Sequence, residues 1–164
     1  EALRKFPVMN ASVDGTDIIY HEFYDIGVAV STDRGLVVPV LRNAENMGFA
    51  DIEKQIVDYG TRARSGSLGL DDLQGGTFTI TNPGPYGSTA SVPIINTPNT
   101  AILSLDAIVK RAVVDDDAIA IRSMANISMS WDHRVIDGEV ATRFLGRVKA
   151  NLEGWDYEIG IAHV

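Results

Sequence analysis

Ser130-Trp131-Asp132-His133-Arg134-Val135-Ile136-Asp137-Gly138 joins two different hydrophobic rhythms. Before it, Ala118 to Arg122 starts a return strand that continues through Ile127 to Trp131. After it, Val140, Phe144, Leu145, Val148 and Leu152 recur at helical spacing, and Gly154 closes that helix. The nonapeptide is therefore a strand end, a short turn holding His133, and a helix opening at Asp137 and Gly138. Strand and helix fix both ends of such a turn while its side chains face an open edge, a good place for chemistry. Asp137 suits the helix N-terminus, where its carboxylate accepts from free backbone N–H groups. Spacing alone does not separate a reactive His133 from a surface histidine beside a capping aspartate, because His-x-x-x-Asp arises easily by chance.

Working outward, Thr100 to Val114 is a long apolar strand, Asp115-Asp116-Asp117 a turn, and Ala118 onward its return, so the pair reads as a long hairpin. Gly75-Gly76 introduces a strand from Thr77 to Thr81, which breaks at Pro83-Gly84-Pro85; a loop rich in Gly, Ser and Pro then runs to about Pro98. Phe49 to Arg64 has the spacing of an amphipathic helix, with Asp51 and Glu53 in its first turn and an end near Gly66. Asp17 to Tyr20 and Ile26 to Ser31 read as strands, and Gly35 to Leu41 as a strand buried on both faces, with Asp33-Arg34-Gly35 as the turn between them. Ala2, Leu3 and Phe6 look like the end of a helix stopped by Pro7, and no initiating Met precedes them, so the chain reads as a fragment of something longer. Strands and helices are interspersed, with one antiparallel pair. The expected class is α/β (α+β two-layer), a mixed β-sheet with helices packed on it.

The composition narrows the chemistry. With 164 residues, 45% of them hydrophobic, one domain over 1–164 can bury roughly 70% of the surface its unfolded chain exposes. Cys is 0, which excludes disulfides, thiolate metal sites and a cysteine nucleophile; no metal site is expected. A formal charge of −8 argues against a protein that grips nucleic acid. No run approaches the roughly 18 apolar residues of a membrane span, and the start lacks signal-peptide shape, so the expected location is the cytoplasm, or the mitochondrial matrix in a eukaryote. His21 and His163 read as structural or solvated, Asn10-Ala11-Ser12 and Asn126-Ile127-Ser128 as chance matches to a glycosylation pattern, and the Asp115 to Asp117 run as a solvated tip.

Five stretches carry a resemblance: FPVMNASVDG, DIGVAVSTDRGLVVPVLRNAE, LQGGTFTITNPG, VPIINTPNTAIL and DHRVIDG. In this order they resemble the catalytic domain of the dihydrolipoamide acyltransferase components of 2-oxo acid dehydrogenase complexes, relatives of chloramphenicol acetyltransferase. The likeness covers essentially the whole chain. It implies that the first part of the catalytic domain, the peripheral-subunit-binding domain and the lipoyl domain are absent here. It also implies transfer of an acyl group between dihydrolipoamide and coenzyme A, the lipoyl group arriving on an absent domain.

The residues suit that chemistry. A thiol of pKa about 8.5 is mostly protonated at neutral pH and needs a base, for which a histidine is apt. The resemblance makes His133 that base and Thr81 the hydroxyl that stabilises the oxyanion; alternation leaves Thr79 and Thr81 on one face, and the family alignment picks Thr81. It implies that Asp137 holds the loop by an ion pair and hydrogen bonds, with Arg134 as one candidate partner. Arg42 and Asn82 stand where relatives contact coenzyme A, against an exposed strand-end charge and a turn-shaping amide as the plain readings. Gly84-Pro85-Tyr86-Gly87 departs from the usual family wording, and the acyl group stays unassigned among acetyl, succinyl and branched chains. The resemblance further implies a homotrimer with sites between subunits, able to build a larger hollow core that meets decarboxylase and dihydrolipoamide dehydrogenase components through the absent domains. A succinyltransferase-like domain of a fused 2-oxoglutarate decarboxylase and a non-catalytic core protein are the rival readings; an intact His133 and Asp137 weigh against the second.

Overall fold

Apolar residues of alternating period need a sheet and those of helical period need something to lie on. The computed structural model, which describes residues 1–155, meets both needs with one central sheet. Its strands are β1 (Ala11–Asp14), β2 (Asp17–Tyr20), β3 (Ile26–Val28), β4 (Val30–Thr32), β5 (Gly35–Val37), β6 (Val40–Leu41), β7 (Phe78–Thr81), β8 (Ala101–Leu105), β9 (Val109–Asp115), β10 (Ala118–Met124) and β11 (Ile127–Trp131). The helices are α1 (Ala2–Lys5), α2 (Phe49–Ser65), α3 (Leu70–Leu73) and α4 (Gly138–Glu153). Five strands form the central sheet in the order β11-β8-β7-β3-β6; β7 runs parallel to β3 and β8, and the two outer pairs are antiparallel. The sheet is mixed, as expected.

Register divides the sheet into two unlike faces. Phe78, Ala101 and Met129 point to one side, where Phe144, Ala141 and Ile136 of α4 and its entry turn close the core together with Ala2 and Met9. The Phe144 ring stands edge-on to Phe6 at 5.9 Å and tilted to Phe78 at 6.0 Å, the offsets that aromatic quadrupoles favour. On the opposite side Thr81, Ser104 and Ser128 share one level across three strands. Burying hydroxyls requires partners, and Ser91 supplies one, 2.7 Å from Ser104 and 3.3 Å from Ser128.

Both long helices end where the sequence says. α2 stops at Gly66, whose φ of +71° supplies the left-handed cap that only glycine adopts cheaply. α4 starts at Asp137, whose Oδ1 accepts from the Val140 N–H at 2.8 Å.

Three strand expectations are corrected. Gly35 to Leu41 is not one strand buried on both faces: Pro39 lacks an N–H, so β5 pairs only with β4 in a surface ribbon with Leu36 two-thirds exposed, while β6 joins the central sheet. Ile26 to Ser31 divides opposite Pro39, β3 staying in the central sheet and β4 pairing with β5. Thr100 to Val114 breaks into β8 and β9 at Asp106, Ala107 and Ile108, three residues that face only Ala125 and Asn126. The long hairpin survives as two antiparallel pairs joined by this bulge, which the Asp106 N–H bond to the Asn126 carbonyl closes. α3 is an element the sequence reading left inside a connection.

Candidate active site

His133 stands where the nonapeptide analysis puts it, exposed, in the turn between β11 and α4. The turn is built from the core outward. Thr100, fully buried, donates its hydroxyl to the Val8 carbonyl, and its own carbonyl accepts the Asp132 N–H at 2.8 Å. The Asp132 carbonyl accepts from Val135 and Ile136, and buried Ile136 seats the far end. The imidazole lies beside the Trp131 ring, 6.0 Å between centroids.

The charge pairing in this turn differs from the expectation. Arg134 does not pair with Asp137; its Nε lies 2.9 Å from Asp132 Oδ1 and its Nη2 2.5 Å from Oδ2. Residues two apart on a tight turn face each other, whereas Asp137 has already rotated onto the helix end. The Arg134 guanidinium, aided by the Arg134 backbone N–H and opposed by burial, holds the Asp132 carboxyl below its ordinary range.

Thr81 and Thr79 share a face, but burial separates them. Thr79 is 1% exposed and donates to Asn99 Oδ1 at 3.0 Å, while Asn99 in turn donates to the Gly76 carbonyl. Thr81 is half-buried and makes no side-chain hydrogen bond among the described residues, leaving its hydroxyl available. Asn82 Oδ1 accepts from the Gly84 N–H at 2.9 Å, the turn-shaping role, with its amide NH₂ turned outward from that bond.

Arg42 is placed differently. Its Nη1 donates to Asp25 Oδ2 at 2.8 Å, and its Nη2 bonds the Asp71 and Gln74 carbonyls. A guanidinium with this many partners clasps α3 to the sheet rather than standing as a bare cation at a strand end. Asp25, buried, also accepts from the Asn43 N–H at 2.7 Å, so the ion is fully paired. His21 is likewise engaged, Nε2 lying 2.5 Å from Ser12 Oγ. His163 lies outside the described residues.

Ser12 and His21 line a cavity of about 440 Å³ with Thr79, Asn99, Gln74 and Gly76. Hydroxyls, amides and backbone suit a neutral, amide-bearing arm better than an ion. The cavity lies on the Thr79 face of the sheet, and His133 does not line it.

One relation decides what this chain can do alone. Thr81 is level with Ser104, whereas β11 reaches Trp131 at the level of Ala101 before His133 follows. Three residues along a strand are ~10 Å and two strand spacings another ~10 Å, so the two groups are ~14 Å or more apart at opposite ends of the sheet. A base and an oxyanion donor acting on one carbonyl must both lie within about 3 Å of the reacting atoms. Within one chain, His133 and Thr81 therefore do not meet at a single carbonyl.

Residues 1–158 match the family model described as 2-oxoacid dehydrogenases acyltransferase (catalytic domain). The chain is 55% identical over 152 residues to the dihydrolipoyllysine-residue succinyltransferase component of the 2-oxoglutarate dehydrogenase complex of Cupriavidus necator, covering 93% of this chain and 36% of the relative. It thus spans little more than a third of the length of such a curated relative. Among solved structures, the dihydrolipoamide acetyltransferase of Azotobacter vinelandii superposes with a TM-score of 0.88 at 39% identity, over 92% of this chain and 63% of that one. That work concerns the role of a serine, a histidine and an asparagine in the catalytic mechanism. The cubic core of the pyruvate dehydrogenase multienzyme complex superposes with a TM-score of 0.88 at 38% identity, covering 92% and 63% of the two chains. A chloramphenicol acetyltransferase, 13% identical with a TM-score of 0.54 over 90% and 70%, shares the fold.

Proposed function

The chain belongs to the family of 2-oxoacid dehydrogenase acyltransferase catalytic domains, and from that premise we propose that it moves an acyl group between dihydrolipoamide and coenzyme A. Both substrates bring a thiol, and the protein has none of its own. His133 takes the proton from the attacking thiol; the sulfur adds to the thioester carbonyl, and negative charge collects on the former carbonyl oxygen. The Thr81 hydroxyl donates to that oxygen. Collapse breaks the second carbon–sulfur bond, and the departing sulfur recovers the proton from His133. No acyl-enzyme is needed.

The observation that carries this reading is the placement of His133 and the available Thr81 hydroxyl at opposite ends of one sheet. In the proposed homotrimer, His133 of one chain meets Thr81 of the next, an arrangement that the head-to-tail interface of a closed ring permits. The Azotobacter serine, histidine and asparagine are separated by 52 and then four residues, the intervals between Thr81, His133 and Asp137 here, which supports the choice of Thr81 over Thr79. Asn82, beside Thr81, is proposed to offer its amide to the pantetheine arm of coenzyme A.

The test uses the assembled enzyme with dihydrolipoamide and acetyl-, succinyl- and branched-chain acyl-CoA. Succinyl is the first to examine, given the succinyltransferase relative. His133→Ala is expected to abolish transfer with the assembly intact, and Thr81→Ala to lower kcat by about 10²–10³-fold, the range for a lost oxyanion donor. Undiminished turnover in His133→Ala, or a Thr81→Ala effect confined to KM, refutes the assignment.

A further inference from the structure

The residues on either side of His133 hold each other. Asp132 Oδ1 accepts from the Arg134 backbone N–H at 3.0 Å and from its Nε at 2.9 Å; Oδ2 accepts from Nε at 3.1 Å and Nη2 at 2.5 Å. A carboxylate that binds both the backbone and the fork of a residue two positions on closes a ring around the residue between them, and that residue is His133. The ring is anchored through the Asp132 N–H on the carbonyl of fully buried Thr100 and through the Asp132 carbonyl on Val135 and Ile136.

The two partners are unequal in exposure. The Asp132 side chain is 16% exposed and the Arg134 side chain 72%. An ordinary surface ion pair contributes little to stability, because holding two long side chains in place costs entropy that a weak, screened attraction barely offsets. This pair differs in having one member already fixed to the core, so the geometry it imposes falls on the backbone of His133.

We infer that Asp132 and Arg134 form a positioning clamp that fixes the His133 backbone, and with it the imidazole against Trp131, for acyl transfer. Neither residue touches the reacting atoms. The inference rests on the proposed role of His133, and it assigns the fork of Arg134, rather than its charge alone, to the alignment of the base. Misplacing a reacting group by about 1 Å can cost about 10²-fold in rate.

In the assembled enzyme, Asp132→Asn retains an oxygen for the Arg134 N–H but loses the charged fork. It is expected to lower kcat about 10- to 100-fold with both KM values and the melting temperature little changed. Arg134→Lys, which keeps charge without the fork, is expected to match Arg134→Gln. The double variant Asp132→Asn with Arg134→Gln should be no slower than either single one, because both remove the same device. Wild-type kcat in Asp132→Asn, full activity in Arg134→Lys, or additive losses in the double variant each overturn the clamp. His133→Ala in the same series keeps the two readings apart: if it is inactive while Asp132→Asn is unimpaired, the clamp alone falls; if it is active, the base assignment falls first.

Discussion

At the scale of single residues, the site is decided by which polar groups are already committed. Thr79 and Thr81 are indistinguishable in sequence, two β-branched hydroxyls on one face, until Asn99 is seen to occupy Thr79. That contact is remote in the chain, and no local pattern announces it. Arg42 misled for the same reason, reading as a strand-end cation until Asp25 and two carbonyls are placed around it, and Arg134, expected as a candidate partner of Asp137, pairs with Asp132 instead. The places of His133 in the turn and of Asp137 at the helix start were legible because both lie at a boundary between hydrophobic rhythms, while the role given to His133 came from the family resemblance. Asp137 caps α4 through one oxygen, which gives a prediction. Asp137→Asn keeps an acceptor and should hold the melting temperature and most of the turnover, whereas Asp137→Ala should cost about 1 kcal/mol of stability and reduce turnover as the loop frays. Thermal unfolding and initial rates of the two variants decide it; equal loss in both would show that charge, not capping, is what matters.

At the scale of elements, the two long helices were readable to within a residue and the strands less so. Helical spacing repeats over 16 or 17 residues in α4 and α2, and each ends on a glycine, so many positions vote for one answer. A strand of three to five residues has few votes, and an apolar run such as Gly35 to Leu41 looks the same whether or not the chain leaves the sheet at Pro39. α3 has only four residues, and what fixes it is tertiary: Arg42 grips its carbonyls and Arg62 of α2 grips Asp72. The Arg62 guanidinium, with the Gly69 backbone N–H, holds the Asp72 carboxyl below its usual range. A depressed carboxyl supports the fold above its ordinary value and loses that support as pH falls through the lower folded one. The clasp's contribution should therefore begin to fall below about pH 4, the ordinary carboxyl value, and the clasp should open in the native protein only at the lower pH where Asp72 itself is protonated. Asp72→Asn should show a shallower fall of melting temperature across the same acid range, and parallel curves for the two proteins would contradict the clasp.

At the scale of the molecule, the proposed meeting of His133 of one chain with Thr81 of the next predicts complementation. His133→Ala chains, inactive alone, and Thr81→Ala chains, strongly impaired alone, should regain about a quarter of wild-type activity when unfolded together and reassembled in equal amounts, because one interface in four then pairs an intact base with an intact hydroxyl. Mixed assemblies that stay inactive would place both groups within one chain. The β9–β10 ribbon has a separate consequence. It carries Ile119 at 83%, Val114 at 78% and Ile121 at 69% exposure on a two-stranded tongue, with Lys110, Arg111 and Arg122 as the charges that discourage foreign strands. If the proposed homotrimer covers this apolar surface, a newly made chain is in a race between assembly and clumping, with those few charges as its protection. Substitutions that slow assembly should surface in the cell as scarcity of soluble protein and a heavier call on chaperones, long before any purified sample reveals a poorer catalyst.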